Sequence, residues 1–285
     1  MRGMRLVLLT SLAMIAFAAN SVLNRLAVDA GGIDPRSFAL IRVMSGALML
    51  ALLALARRKS LPLRAPARIV GAGALALYMV GFSAAYLTLD AGLGALILFG
   101  VVQMTMFAVS ALTGTPASGR QIVGAGIAFG GLDWVLWPGG AVVADAGGIV
   151  LMAAAGVGWA FYTLAGRREP DALSATAANF CYAAPLTLVA WLVIGGAVMV
   201  SPVGVALAVV SGSVTSGLGY ALWYSILPRL SPSLAATVQL SVPVISLGGG
   251  VALLCEGASE RVLLGGALVI GGIALIIQAF RQRSA

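Results

Sequence analysis

Apolar runs of membrane-crossing length follow one another along almost the whole chain, separated by short stretches that hold most of the Arg, Asp and Pro. A helix rising 1.5 Å per residue needs about 20 apolar residues to cross a bilayer. Runs of that length fall at about 5 to 28, 35 to 56, 69 to 88, 92 to 112 and 119 to 138, then at about 147 to 166, 173 to 196, 204 to 226, 231 to 254 and 261 to 281. The pattern predicts an all-α fold, a polytopic membrane protein with ten transmembrane helices. The first run follows Arg2 and Arg5 and contains Ala16-Phe17-Ala18-Ala19, so it imitates a secretory signal. It is expected to stay as an uncleaved span that orients the later ones.

The two halves resemble each other. Gly81 to Gln103 aligns with Gly217 to Gln239 at an offset of 136, matching Gly81 with Gly217, Ala85 with Ala221 and Gln103 with Gln239. Gly124, Gly130 and Gly131 match Gly265, Gly271 and Gly272 at an offset of 141. This divides the chain into repeats at 1–142 and 143–285, each of five helices. Five is odd, so the second copy enters the membrane from the opposite side, an inverted-topology repeat of the kind secondary transporters use around a midplane site. Gly126-x-x-x-Gly130 and its mirror Ala267-x-x-x-Gly271 predict close packing of the fifth span on the tenth.

Charge sets the orientation. With the N-terminus inside, the cytoplasmic side receives Arg2, Arg5, Arg57, Arg58, Lys59, Arg64, Arg68, Arg120, Arg167, Arg168, Arg229, Arg281 and Arg283. The other side receives only Arg25, Arg36 and Arg261. The positive-inside rule therefore puts both termini in the cytoplasm and the protein in the inner membrane. Composition agrees: 61% apolar and 9% charged residues, with mean hydropathy +1.05, exclude an ordinary soluble domain. The net charge of +8 is spent on topology and does not point to nucleic acid. Without histidine, imidazole bases and His metal sites are excluded, and no metal or other cofactor is expected. The one lysine, Lys59, stands outside any phosphate-loop motif. Cys181 and Cys255 fall on different helices and are expected to be unpaired.

Polar residues at membrane depth carry the candidate chemistry, because each is costly there unless satisfied. Arg42 lies about 10 Å into the second span; it faces a wet cavity, an acidic partner or an anionic substrate group, or else snorkels to the interface. Asp133 is its natural partner and a candidate proton carrier, against a reading as an interfacial, headgroup-solvated carboxylate. Gln103 and Gln239 sit at equivalent mid-depths and line a cavity or bond between helices. Asn20 and Asn24 share one helix face, and Asn179 is the counterpart of Arg42 in the seventh span. Trp159 and Tyr220 lie deep enough to touch a substrate, whereas Trp223 and Tyr224 read as a headgroup belt. Pro185 and Pro243 are placed to kink their helices. Glu256 reads as a loop cap.

The five-plus-five layout, the stretch from Asp34-Pro35 to Arg42, Gly-Tyr-Ala-Leu-Trp-Tyr at 219–224, and Gln239-Leu-Ser-Val-Pro243 with Gly248-Gly249-Gly250 and Glu256 together resemble the drug/metabolite transporter superfamily, in its EamA-type ten-helix branch. The resemblance implies a secondary carrier, often an exporter of amino acids or other small metabolites, with a central cavity that opens alternately to each side. Its partners would be a small-molecule substrate and the lipid bilayer. A membrane-embedded enzyme and a non-transporting sensory or structural membrane protein are the competing classes. The sequence is silent on oligomeric partners.

Overall fold

The computed structural model describes residues 2–29, 32–63, 67–112, 118–136, 145–166, 169–230 and 238–283. Helices occupy α1 (Arg2–Asp29), α2 (Pro35–Ala56), α3 (Ala67–Ala85), α4 (Ala91–Leu112), α5 (Gly119–Leu136), α6 (Ala146–Gly166), α7 (Ala172–Ile194), α8 (Pro202–Arg229), α9 (Ser241–Leu254) and α10 (Glu260–Arg283). Among the described residues, α1 to α4 and α6 to α8 are each long and apolar enough to cross a membrane. Arg64, Arg167 and Arg168, and the first part of the run expected at 231–254, lie outside the described residues.

Local chemistry explains the ends. The Asp34 side chain accepts from the Ser37 amide, with Pro35 opening α2. Asp171 does the same for Ser174 at the start of α7. The two caps form a repeated Asp-x-x-Ser at the heads of the second and seventh helices. Ser201 caps α8 ahead of Pro202. Gly195, at φ +64°, closes α7 in a conformation that costs glycine little.

Two spans depart from a regular α-helix, the second where Pro243 is expected to kink it. The span expected at 204–226 is a continuous helix whose middle, Ser211–Leu218, is wound as a π-helix and whose last turn, Leu227–Arg229, is 3-10. The span expected at 231–254 breaks at Leu240, a turn between helical Gln239 and α9. Pro243 is the cause: it has no N–H for the Gln239 carbonyl, and its ring crowds that carbonyl.

The bundle is apolar outside and polar in places inside. Leu8, Leu12 and Ile15 on α1, and Leu48 and Leu55 on α2, are exposed, while Asn20, Asn24, Arg42 and Ser83 are buried. That inversion is what a lipid solvent selects, and the chain is a polytopic membrane protein.

The main helix neighbours obey one rule. α3 packs on α6 and α7, and α8 packs on α1 and α2. α4 packs on α6, and α9 packs on α1. α2 meets α7, α4 meets α9, and α5 meets α10. Replacing each helix by the one five places away turns this set of pairs into itself. The α5–α10 seam forms as expected but through other glycines: a Cβ on Gly124 would stand 2.6 Å from the Gly272 carbonyl oxygen, and one on Gly131 would stand 2.9 Å from that of Gly265. Gly126, Gly130 and Gly271 face open space. A spacing of seven, two full turns, keeps one face of each helix in register with its antiparallel neighbour better than a spacing of four.

Ion pairs gather at the two ends. At one end Lys59 Nζ meets Asp171 Oδ2 at 2.8 Å and Arg68 meets Glu169. At the other, Arg25 reaches Asp29, Asp90 and Glu256 at 3.5–3.9 Å, and Ile33 forms an antiparallel bridge with Val200.

Candidate functional site

A small hollow lies where α1, α3, α4, α6 and α8 converge. Its wall is mostly aromatic: Phe17, Tyr78, Phe82, Phe99, Trp159 and Tyr220, joined by Asn20, Ser21 and Leu98. The rings interlock, with Trp159 5.0 Å from Tyr220 and 4.9 Å from Tyr78 between centroids. The Tyr220 hydroxyl lies 3.5 Å from that of Tyr78, one from each half of the chain. The remaining space between the rings admits about one water molecule. The hollow expected to be polar is thus aromatic and closed in this conformation.

Arg42 stands directly behind Tyr78 and Phe82, fully buried. Its Nε donates to Ser216 Oγ at 3.0 Å and its Nη2 to the Tyr78 hydroxyl at 3.1 Å. The guanidinium carbon lies 4.9 Å from the Phe82 ring centre and 5.4 Å from that of Tyr78, a cation–π arrangement. Nη1 has no hydrogen-bond partner. On the other side of Ser216, Asn20 Oδ1 accepts from the hydroxyls of Ser211 at 2.9 Å, Thr215 at 2.6 Å and Ser216 at 3.2 Å.

The π segment builds this arrangement. Bonds from i to i+5 stack residues five apart, which brings Ser211 and Ser216 into one column beside Thr215. Gly212 allows the approach: a Cβ there would overlap Ser45 Oγ and the Arg42 carbonyl oxygen. A run of small hydroxyl residues, Ser211-Gly212-Ser213-Val214-Thr215-Ser216, inside an apolar span was the available sequence signal for these unpredicted partners.

A second, tighter hollow, without room for a water molecule, is lined by Tyr162, Glu169, Thr176, Asn179 and Tyr224 with neighbouring small residues. Beside it Arg68 donates to the Asn179 side-chain oxygen at 3.2 Å and to the Ala175 carbonyl at 3.1 Å, and pairs with Glu169. Gly71 leaves room for the Asn179 amide, which a Cβ would meet at 2.8 Å.

The expected residues therefore separate. Asn20, Trp159 and Tyr220 line the first hollow, with Arg42 behind it; Asn179 lines the second. Gln103 and Gln239 are buried but line neither. Asp133 does not pair with Arg42: it is exposed on α5, whose packed face turns to α10. Trp223 and Tyr224 are not a headgroup belt; they are buried, Trp223 against Phe17 and Tyr224 in the second hollow, because the aromatic packing claims both. Asn24 donates to Ser83 Oγ at 3.0 Å, a bond between helices. Both Glu256 oxygens accept from the Ala91 amide, at 3.0 and 2.9 Å, which caps α4. Burial, with Asp90 nearby, holds the Glu256 carboxyl above the usual range despite Arg25 and the Ala91 bond. Cys181 and Cys255 are free thiols.

Comparison with known proteins follows this geometry. Residues 146–278 match the EamA-like transporter family. The chain is 45% identical over 282 residues to the uncharacterized protein PA1977 of Pseudomonas aeruginosa, covering 99% of this chain and 97% of that protein. It also superposes on a solved crystal structure at TM-score 0.68 and 20% identity, covering 97% of this chain and 99% of the other. At that identity the likeness concerns the fold alone.

Proposed function

We propose that this chain, a multi-pass membrane protein carrying an EamA-like transporter domain at residues 146–278, is a secondary carrier that moves small organic metabolites by alternating access. In this reading residues 1–142 and 143–285 are two inverted five-helix repeats, the membrane is the inner one, and both termini are cytoplasmic. The observation that carries it is the place of the aromatic hollow: α1, α3 and α4 of one half and α6 and α8 of the other line it, and ion pairs between the halves stand at both ends. Such a site opens to one side when one set of pairs parts and to the other when the second set does. In this reading the tightly packed hollow is the occluded step between them. The family is one of transporters, and the polar groups gathered here bind and position rather than make a catalytic set.

Export of amino acids or related polar solutes, driven by proton or solute exchange, is the finer form of the reading. Asp133 carries the proton only if it loses its exposed setting during the cycle. Counterflow in proteoliposomes loaded with a metabolite panel tests the carrier reading, with and without an imposed pH gradient. Exchange of at least one solute is the expected result. A folded preparation that exchanges none of them sinks the reading, and exchange indifferent to the gradient removes the proton from it.

A further inference from the structure

All nine acidic residues of the chain are among the described residues. None of the ion pairs seen among the described residues includes Arg42. The contrast with the other buried arginines is sharp. Arg68 has Glu169, and Arg25 has three carboxylates, whereas Arg42 is the most enclosed charge among the described residues and has no counter-ion there. Two hydroxyls and two ring faces offset part of its desolvation, and Nη1 remains unpartnered. A buried cation left in that condition is a standing demand for an anion.

The surroundings also say what the anion's body and its other charges can be. Aromatic side chains make up most of the wall, so once the hollow opens Phe17, Phe99, Trp159 and Tyr220 present ring faces to a flat apolar group. Among the described residues no carboxylate lines the hollow. Its one side-chain amide oxygen, on Asn20, already accepts three hydroxyl donors, and the Asn20 nitrogen is turned to the Ala16 carbonyl at 3.3 Å. An ammonium group would find there only hydroxyl oxygens of Ser21, Tyr78 and Tyr220 and ring faces, with no carboxylate to neutralise it and with the unpaired Arg42 cation at the same site.

We propose that the hollow takes an organic carboxylate with an aryl or similarly flat apolar body, the carboxylate supplying the anion that Arg42 lacks, and that it discriminates against the zwitterion or amine of the same body. This rests on the carrier reading and narrows its substrate from polar metabolites in general to aryl carboxylates. Admission of the solute requires the halves to separate and Tyr78 to leave Arg42, since the closed form has room only for water.

Three probes that share an arylethyl body decide the matter: 3-phenylpropionate, phenylalanine and phenethylamine, titrated at neutral pH against the purified full-length protein in nanodiscs. The expected result is that 3-phenylpropionate binds at least about tenfold more tightly than phenylalanine and that phenethylamine does not bind. Arg42→Gln should lose at least about tenfold of the carboxylate's affinity, while Arg42→Lys retains part of it. The unliganded Arg42→Gln protein is expected to be no less heat-stable than the parent, since it removes an unpaired charge. Should that variant fail to fold, the ranking of the three probes on the parent protein still decides. Equal or tighter binding of phenylalanine, unchanged binding of 3-phenylpropionate to a folded Arg42→Gln, or no binding of the carboxylate at millimolar concentration would each overturn the proposal. Counterflow separates the two readings. Tight carboxylate binding without exchange defeats the carrier and leaves the substrate class, whereas exchange of phenylalanine or phenethylamine but not the carboxylate defeats the class and leaves the carrier.

Discussion

Gly131 on α5 and Gly272 on α10 correspond to each other when the two halves are exchanged, and each meets the opposite helix through its backbone. A Cβ on Gly272 would stand 2.5 Å from the Gly124 carbonyl oxygen and 2.6 Å from the Ala128 nitrogen. A Cβ on Gly131 would stand 2.9 Å from the Gly265 carbonyl oxygen and 3.0 Å from the Val269 nitrogen. Ordinary contact begins near 3.4 Å, and backbone cannot rotate aside as a side chain does. Alanine at either position therefore has to push α5 and α10 apart by about 0.5 to 0.9 Å, an overpacking that costs about 1–3 kcal/mol. Gly130 sits one residue away and meets nothing within 4 Å. Alanine there keeps only the gain in helix propensity, about 1 kcal/mol. Gly131→Ala and Gly272→Ala should thus fall below Gly130→Ala in thermal midpoint by roughly 3 to 10 °C, on a scale of about 2–4 °C per kcal/mol. Fluorescence-detected unfolding of the detergent-purified proteins reads this directly. If all three variants unfold together, or if Gly131→Ala stabilises while Gly272→Ala destabilises, both the seam and its twofold character are refuted.

Other expectations use the site and the ends. Gly212→Ala drives α8 away from α2 and separates Ser216 from Arg42, so it should weaken carboxylate binding by more than tenfold while Gly126→Ala, on an open face, leaves binding unchanged. Removing Glu169 leaves Arg68 buried without its partner, a loss of about 3–5 kcal/mol from the closed form; Glu169→Gln should raise maleimide labelling of a Thr176→Cys reporter in the second hollow, and unchanged labelling would show that this pair does not hold that end shut. Asp34→Ala and Asp171→Ala should each cost about 1 kcal/mol as lost helix caps, to be read by the same thermal assay. Burial opposes ionisation of both carboxyls, but the Ser37 and Met199 amides with Arg36 for Asp34, and Lys59 with Ser174 for Asp171, outweigh it and hold both below the ordinary 3.8. Their stabilisation is complete above pH 3.8 and disappears as pH falls through the lowered folded values, so each alanine variant should show a shallower acid loss than the parent.

Helix positions were legible because hydrophobic run length is nearly all a bilayer asks of a crossing segment. Arg42 was legible for the same reason, as a charge where lipid tolerates none without a purpose. What the runs could not show is how a helix is wound. The π segment at Ser211–Leu218 has the composition of an ordinary small-residue helix, and its extra residue per turn is stabilised by Arg42 and Asn20, which lie about 170 to 195 residues away in sequence. Tyr78, Phe82 and Ser216 were invisible for a related reason. Aromatic and hydroxyl residues are common in membrane helices, and only the helix they face decides whether they make a wall or a lipid contact. Trp223 and Tyr224 show the error in the other direction, since closeness to a span's end suggested the interface and packing placed them inside.

The Asp-x-x-Ser caps bear most directly on how the halves relate. Asp34 also accepts from the Met199 amide, in the connection that follows α7, and Asp171 also accepts from Lys59, in the connection that follows α2. Each helix of the α2–α7 pair thus has its head capped by a residue that grips the tail of the other. Reciprocal grips of this kind are what the two-repeat reading expects. The same reciprocity recurs in the glycines of α5 and α10 and in the pairing of α3 with α6 against that of α8 with α1. In the centre it stops: Arg42 on α2 has Asn179 as its counterpart on α7, a neutral amide already engaged with Arg68. If the carrier reading holds, a charge present in only one half would give the solute a single anchoring point, and Arg42→Gln should abolish that anchor without altering the α2–α7 caps.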